Sequence, residues 1–148
     1  MNAADVALVA QAVASGVMCG IIWFVQLVHY PLLAMVTGEA GAGYADSNRL
    51  RTAWVVLPPM VVEAAAAAWL AAWPPAGLGR GVTALGAALL PPIWLSTLLL
   101  QMPLHRRLGR EGTDPAIVGR LVRSNWLRTA LWTVRAILAC WMLSVGGR

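Results

Sequence analysis

An all-α fold, an integral membrane four-helix bundle, is predicted by three features of this sequence: its composition, the lengths of its apolar blocks and the placing of its arginines. Of 148 residues, 59% are hydrophobic and 11% are charged, against roughly 25% charged in soluble domains. Mean hydropathy is +0.69. Between Asp5 and Glu39 no acidic or basic side chain occurs except His29, and between Arg51 and Arg80 the one charge is Glu63. From Gly81 to Leu104 there is none, and a fourth apolar block, Leu121 to Val145, carries Arg123, Arg128 and Arg135. Each block reaches the ~20 residues that a helix needs to cross a bilayer. The expected helices lie near residues 8–36, 52–73, 81–104 and 121–145 of a single domain, 1–148.

A soluble bundle would need a polar face on every helix, and blocks one and three almost lack one. A cleaved signal peptide is not expected either, because Asp5 stands in the leader with no basic residue before it and the apolar run is about twice the usual length. The basic residues are all arginine. Arg49 and Arg51 fall in the first connection and Arg106, Arg107, Arg110, Arg120 and Arg123 in or beside the third, whereas Arg80 and Arg148 fall on the other side. By the positive-inside rule the first and third connections face the cytoplasm and both termini face outward, in a multi-pass protein of a bacterial-type plasma (inner) membrane. The net charge of +5 then reads as topology and contact with membrane lipids, and not as nucleic-acid binding.

The first helix opens with Gly16 and Gly20 four apart, a spacing that lets another helix approach closely. Farther on, Trp23, Gln26, His29 and Tyr30 share a side and Pro31 follows, so a kink is expected near Leu27 to Tyr30. A histidine there is as readily a packing residue as a ligand. The first connection, Thr37 to Leu50, predicts a turn rich in glycine (Gly38, Gly41, Gly43) and a short interfacial helix running into the second span. No lysine follows Gly41-Ala42-Gly43 and no strand precedes it, so it is not a phosphate loop. In the second helix Pro58-Pro59 should bend or open the first half. Glu63, ahead of Ala64 to Ala68, is its one intramembrane carboxylate.

Glu63 lies twelve residues beyond Arg51, and Arg135 twelve beyond Arg123, on helices running the same way. At 1.5 Å per residue both sit roughly 18 Å from the same edge, which predicts an ion pair between them. Such a pair either fixes helix register or takes part in proton chemistry. Trp69 and Trp73 suit an interfacial belt at the second connection. The third helix should break at Pro91-Pro92, after which Trp94, Thr97 or Leu98, Gln101 and His105 follow one face, with Pro103 near the end. In the third connection Asp114 is suited to N-cap a helix that begins with Pro115. In the fourth helix Asn125, Arg128, Trp132 and Arg135 recur at three, four and three residues, one face that must be covered by protein or water. Cys19 and Cys140 read as packing residues.

Gln26, His29, Glu63, Gln101, His105, Asn125, Arg128, Trp132 and Arg135 are thus all expected in the cytoplasmic half of the bundle. So many groups cannot all be satisfied by pairing, which predicts a polar cavity. The run Thr97 to Leu108, containing Gln101-Met102-Pro103-Leu104-His105, and the run Asn125-Trp126-Leu127-Arg128 with Trp132 and Arg135 resemble small bacterial four-helix membrane proteins grouped with the fungal anthrone oxygenases. Pro103, His105, Trp126 and Arg135 match positions of that pattern, while the family's fourth-helix histidine is missing, with Ala130 or Thr129 near its place. The resemblance implies a four-helix membrane fold and oxygenase-like chemistry on an aromatic molecule.

The function expected first is binding or oxidation of a hydrophobic aromatic or quinone-like small molecule. His29, Glu63, Arg128 and Arg135 are the candidate catalytic residues and Gln26, Trp94, Gln101, His105, Asn125 and Trp132 the candidate ligand contacts. Indole rings (Trp132, Trp94 or Trp23) would stack on the ligand while Arg128, His29 and Asn125 meet its oxygens. No cofactor is required by the sequence. Haem held by His29 and His105 is the alternative, and a metal site on His29, His105 and Glu63 lacks ligands at close helical spacing. A non-enzymatic subunit or transporter is the third reading, in which a homo-oligomer would make up for the small number of helices.

Overall fold

The computed structural model describes residues 2–36 and 39–146. Thr37 and Gly38 of the first connection, and Arg148, lie outside the described residues. Four helices, α1 (Ala3–Leu33), α2 (Glu39–Ala72), α3 (Arg80–Glu111) and α4 (Pro115–Gly146), are each long and apolar enough to cross a membrane. Short connections make neighbours in sequence antiparallel neighbours in space. α1 packs along both α2 and α4, and α3 lies along α4. Glu63 on α2 faces Arg135 on α4 across the middle of the bundle.

Three apolar layers stack along the axis. Leu8, Leu70, Leu78 and Met142 fill the end near the second connection. Met18, Ile22, Met60, Ile93 and Trp132 fill the middle. Val25, Tyr30, Leu33, Leu108 and Leu121 fill the end that carries the arginine-rich connections, here termed the basic end. The exterior is apolar as well: Phe24, Leu27, Trp54, Val55, Leu99 and Ile137 are all exposed. A soluble protein rarely shows so continuous an apolar surface.

The helices run longer than the apolar blocks because their ends are polar and capped. α1 begins at Ala3, where the Asn2 side chain accepts from the Asp5 N–H at 3.0 Å and the Asp5 carboxylate accepts from the Asn2 N–H at 2.9 Å, a reciprocal cap. The interfacial helix and the second span form one 34-residue helix. At α4 the Asp114 carboxylate accepts from Ala116 N–H at 2.7 Å, and Pro115 is the first helical residue, as its fixed φ favours.

Prolines inside the other three helices act differently from one another. In α1 the expected kink is a π-turn, Val25–His29, in which Tyr30 N–H donates to the Val25 carbonyl. α3 repeats the device at Thr97–Gln101, where Met102 N–H donates to the Thr97 carbonyl. Each π-turn ends two residues before a proline, Pro31 or Pro103. A proline ring crowds the carbonyl four residues back, and widening that turn by one residue relieves it. α3 also breaks at Leu89, just before Pro91-Pro92. The bend expected at Pro58-Pro59 is not a break: α2 stays helical through both. Pro58 is exposed and Pro59 half-buried.

Gly16 and Gly20 do not mark a close helix approach. A Cβ at either would meet nothing within 4 Å, since α1 turns Gln11, Ser15, Met18 and Ile22 inward and the glycines outward. Close approach occurs instead at Gly41, where a Cβ would stand 2.7 Å from Thr113 Oγ1 and 2.8 Å from the Val36 carbonyl. The Thr113 hydroxyl donates to that same carbonyl, so the first and third connections are tied together over a glycine.

Candidate functional site

The polar face of α4 is buried along its length, as the spacing of Asn125, Arg128, Trp132 and Arg135 requires. It divides into two parts with different chemistry. The deeper part is a bracket around Glu63. Arg135 Nε donates to Glu63 Oε1 at 2.5 Å, Ser15 Oγ donates to the same oxygen at 2.6 Å, and Trp132 Nε1 donates to Oε2 at 3.1 Å. Arg135 Nη1 also donates to the Gly86 carbonyl. Both charged side chains are 1% exposed. Three donors from α1 and α4 engage both oxygens of this carboxylate, while Arg135 Nη2 is buried without a partner among the described residues.

Toward the basic end the bonding loosens. Asn125 Nδ2 donates to Gln26 Oε1 at 2.8 Å, and Gln26 Nε2 donates to the Val122 carbonyl at 3.2 Å. Arg128 Nη1 donates to Asn125 Oδ1 at 3.1 Å, and its guanidinium carbon lies 5.1 Å from the centre of the Trp132 ring. Arg128 Nε has no hydrogen-bond partner among the described residues, and no ion pair forms at this side chain among them. An arginine buried to this degree is ordinarily neutralised by an acid.

Beside Arg128 is a cavity of about 210 Å³. Met18, Ile22, Val25, Met60 and Trp94 form its apolar wall, and His29, Tyr30, Gln101, His105 and Arg128 its polar one. The π-turns carry His29 and Gln101 into it. Tyr30 Oη lies 3.3 Å from Gln101 Oε1, to which it donates, and 3.1 Å from His105 Nε2. Gln101 Nε2 donates to Ser124 Oγ at 2.9 Å. His29 Nε2 and His105 Nδ1 are buried without partners among the described residues. Among the described residues no carboxylate lines the cavity.

The cavity also has a side opening. α2 packs against α3 at its two ends, Arg80–Ala88 and Met102–Glu111, but hardly touches the stretch between Leu90 and Gln101. Leu57 and Leu98, both exposed, flank this gap and line the cavity. A space of about 150 Å³ holds benzene, so the cavity suits one substituted ring whose tail leaves between α2 and α3.

Of the residues selected from sequence, His29, Trp94, Gln101, His105 and Arg128 line this cavity, whereas Glu63, Arg135, Trp132, Gln26 and Asn125 do not. Trp23 is also elsewhere: its indole donates to Thr133 Oγ1 at 3.0 Å and stands edge-on to Trp126 at the surface. Sequence reasoning did not select Tyr30, Thr97, Asn48 and Arg49, which also line the cavity. Tyr30 adjoins His29, and a polar doublet just before a proline was the signal available for it. Arg49 is paired with Asp46 at 2.7 Å.

Haem does not suit this geometry. The Tyr30 ring centre lies 5.8 Å from that of His29 and 5.7 Å from that of His105, so the phenol occupies the neighbourhood of both imidazoles. The space is also smaller than the roughly 300–1,000 Å³ of pockets for drug-sized ligands. Glu63, engaged in its bracket, is not beside the histidines as a three-ligand metal site would need. Comparison of the chain with protein-family models, with curated proteins and with solved structures gives no match.

Proposed function

We propose that the chain is a multi-pass protein of a bacterial-type plasma membrane that binds a lipophilic molecule with an acidic or carbonyl oxygen on an aromatic head, such as a phenol or quinone. The observation that carries this reading is Arg128, a buried guanidinium with no acid beside it, facing a largely apolar cavity that opens sideways. A ligand oxygen supplies an acceptor for Arg128 Nε, which has none among the described residues. The arginine-rich connections face the cytoplasm and both termini the outside, by the positive-inside rule. The ring packs on Trp94, the oxygen meets Arg128, and His29 or His105 holds or takes a phenolic proton while the guanidinium stabilises the anion. The likeness to anthrone-oxygenase-type proteins supports the same ligand class. Binding is the step these groups serve, and an oxidation would further require an electron acceptor in contact with the bound ring.

The test is a titration of detergent-purified protein with a short-chain quinone, followed by quenching of Trp94 fluorescence, with Trp94→Phe as the optical control. Arg128→Gln keeps a polar side chain but removes the charge. A charge-assisted hydrogen bond contributes about 1.5–3 kcal/mol, so binding should weaken roughly 10- to 100-fold. His29→Ala should weaken it less. Unchanged affinity in both variants, with the helical spectrum retained, removes this reading.

A further inference from the structure

A second concavity lies on the opposite side of α3, at the basic end between α3 and α4, with a volume of about 480 Å³. Its floor and one wall are Leu99, Leu100, Pro103 and Leu104, and its rim is Arg107, Arg120 and Arg123. Arg107 has a partner, Glu111, at 2.9 Å. Arg120 and Arg123 are exposed and form no ion pair among the described residues. Three guanidiniums with a single carboxylate therefore border an apolar trough. Ser124 forms the back of it and accepts the bond from Gln101.

We propose that this groove is a binding site for one anionic phospholipid, with its phosphodiester on Arg120 and Arg123 and an acyl chain along the leucine wall. The charge is complementary, because two unpaired guanidiniums on successive turns offer forked donors to phosphate oxygens. The shape is complementary too. Free phosphate would use the rim and leave the trough empty, whereas a lipid fills both. Exposed leucines in register below exposed arginines follow the order of acyl chain and headgroup in a leaflet. The inference shares only the bilayer placement with the function proposed above. Failure of quinone binding leaves it standing.

The experiment is native mass spectrometry of the whole protein released from detergent containing phosphatidylglycerol or phosphatidylcholine. The parent should retain one phosphatidylglycerol in preference to phosphatidylcholine, and excess inorganic phosphate should not displace it. Arg120→Gln/Arg123→Gln should lower that retention about 30-fold, from the attraction of two basic residues near an anionic surface. Arg106→Gln/Arg110→Gln removes the same charge from the same end outside the groove and should leave retention unchanged. Equal retention of the two lipids by the parent would overturn the proposal. So would retention unaffected by Arg120→Gln/Arg123→Gln, and so would displacement by phosphate, which would assign the rim to a soluble anion.

Discussion

Glu63→Ala is expected to destabilise the bundle by about 3–5 kcal/mol, the usual cost of removing one member of a buried ion pair. The loss is not that of one contact. Arg135, 1% exposed, would keep its charge with only the Gly86 carbonyl as acceptor, and the Ser15 hydroxyl and Trp132 indole would each lose a partner. Glu63→Gln should cost less, since its one amide oxygen, set in place of Oε1, still accepts from Ser15 and Arg135, although the Trp132 N–H then faces an amide NH2 and loses its acceptor. Replacing both members with apolar groups, Glu63→Leu/Arg135→Met, should recover much of the loss because no uncompensated charge remains. Reversible unfolding in mixed micelles, followed by circular dichroism, measures all three. If Glu63→Ala lies within about 1 kcal/mol of the parent, the pair does not brace the bundle.

Trp132→Ala should have an effect of similar size, about 3–5 kcal/mol, the range for truncating a buried aromatic. Trp132 is fully buried in the middle layer against Met18, Ile22, Met60 and Ile93. It joins the two halves of the site, since its N–H meets Glu63 and its ring lies under Arg128. Trp132→Phe separates these roles. It keeps an aromatic face for the guanidinium but removes the donor from Glu63 Oε2, a loss of about 1–3 kcal/mol for a buried acceptor left unpaired. The same unfolding assay should rank the parent above Trp132→Phe, and that above Trp132→Ala. Equal destabilisation by the two variants, both of which lack the indole N–H, would mean that the hydrogen bond outweighs the packing.

The number of spans and the Glu63–Arg135 pair were legible in the sequence for one reason: a charge within an apolar block is costly, so each one stands out and its offset from the block edge gives its depth. The division of the polar face into a bracket around Glu63 and a cavity was not legible. Asn125, Arg128, Trp132 and Arg135 share a helical face, and nothing in their spacing says that Ser15 would complete the shell of Glu63 while Arg128 stays short of an acid. Tyr30 was placed on the side of His29 but not chosen as a ligand contact, and the exact facing of residues beyond each π-turn was not legible. A regular helical wheel advances 100° per residue, and the π-turns at Val25–His29 and Thr97–Gln101 shift everything after them. The direction of a motif was likewise hidden: Gly16 and Gly20 have the spacing of a packing face but point outward, while Gly41, which has no such partner glycine, is the one that needs room.

The bracket around Glu63 also has a history during synthesis. Arg135 follows Glu63 by 72 residues, and at about 5–20 residues per second the ribosome needs roughly 4–14 s to make them. Until then a bilayer-inserted α2 holds a carboxylate whose guanidinium partner does not yet exist, and Ser15 on the already completed α1 is the donor within reach. Of the three donors to Glu63, Ser15 alone lies on a helix made before it, so it is expected to be the interim partner until the fourth helix arrives. Nascent chains arrested before α4 should show poorer insertion of α2 when they carry Ser15→Ala, as read by glycosylation mapping of the flanking loops, and full-length chains should show little difference. Equal insertion in the arrested chains would mean that the hairpin of α1 and α2 waits for α4 without help.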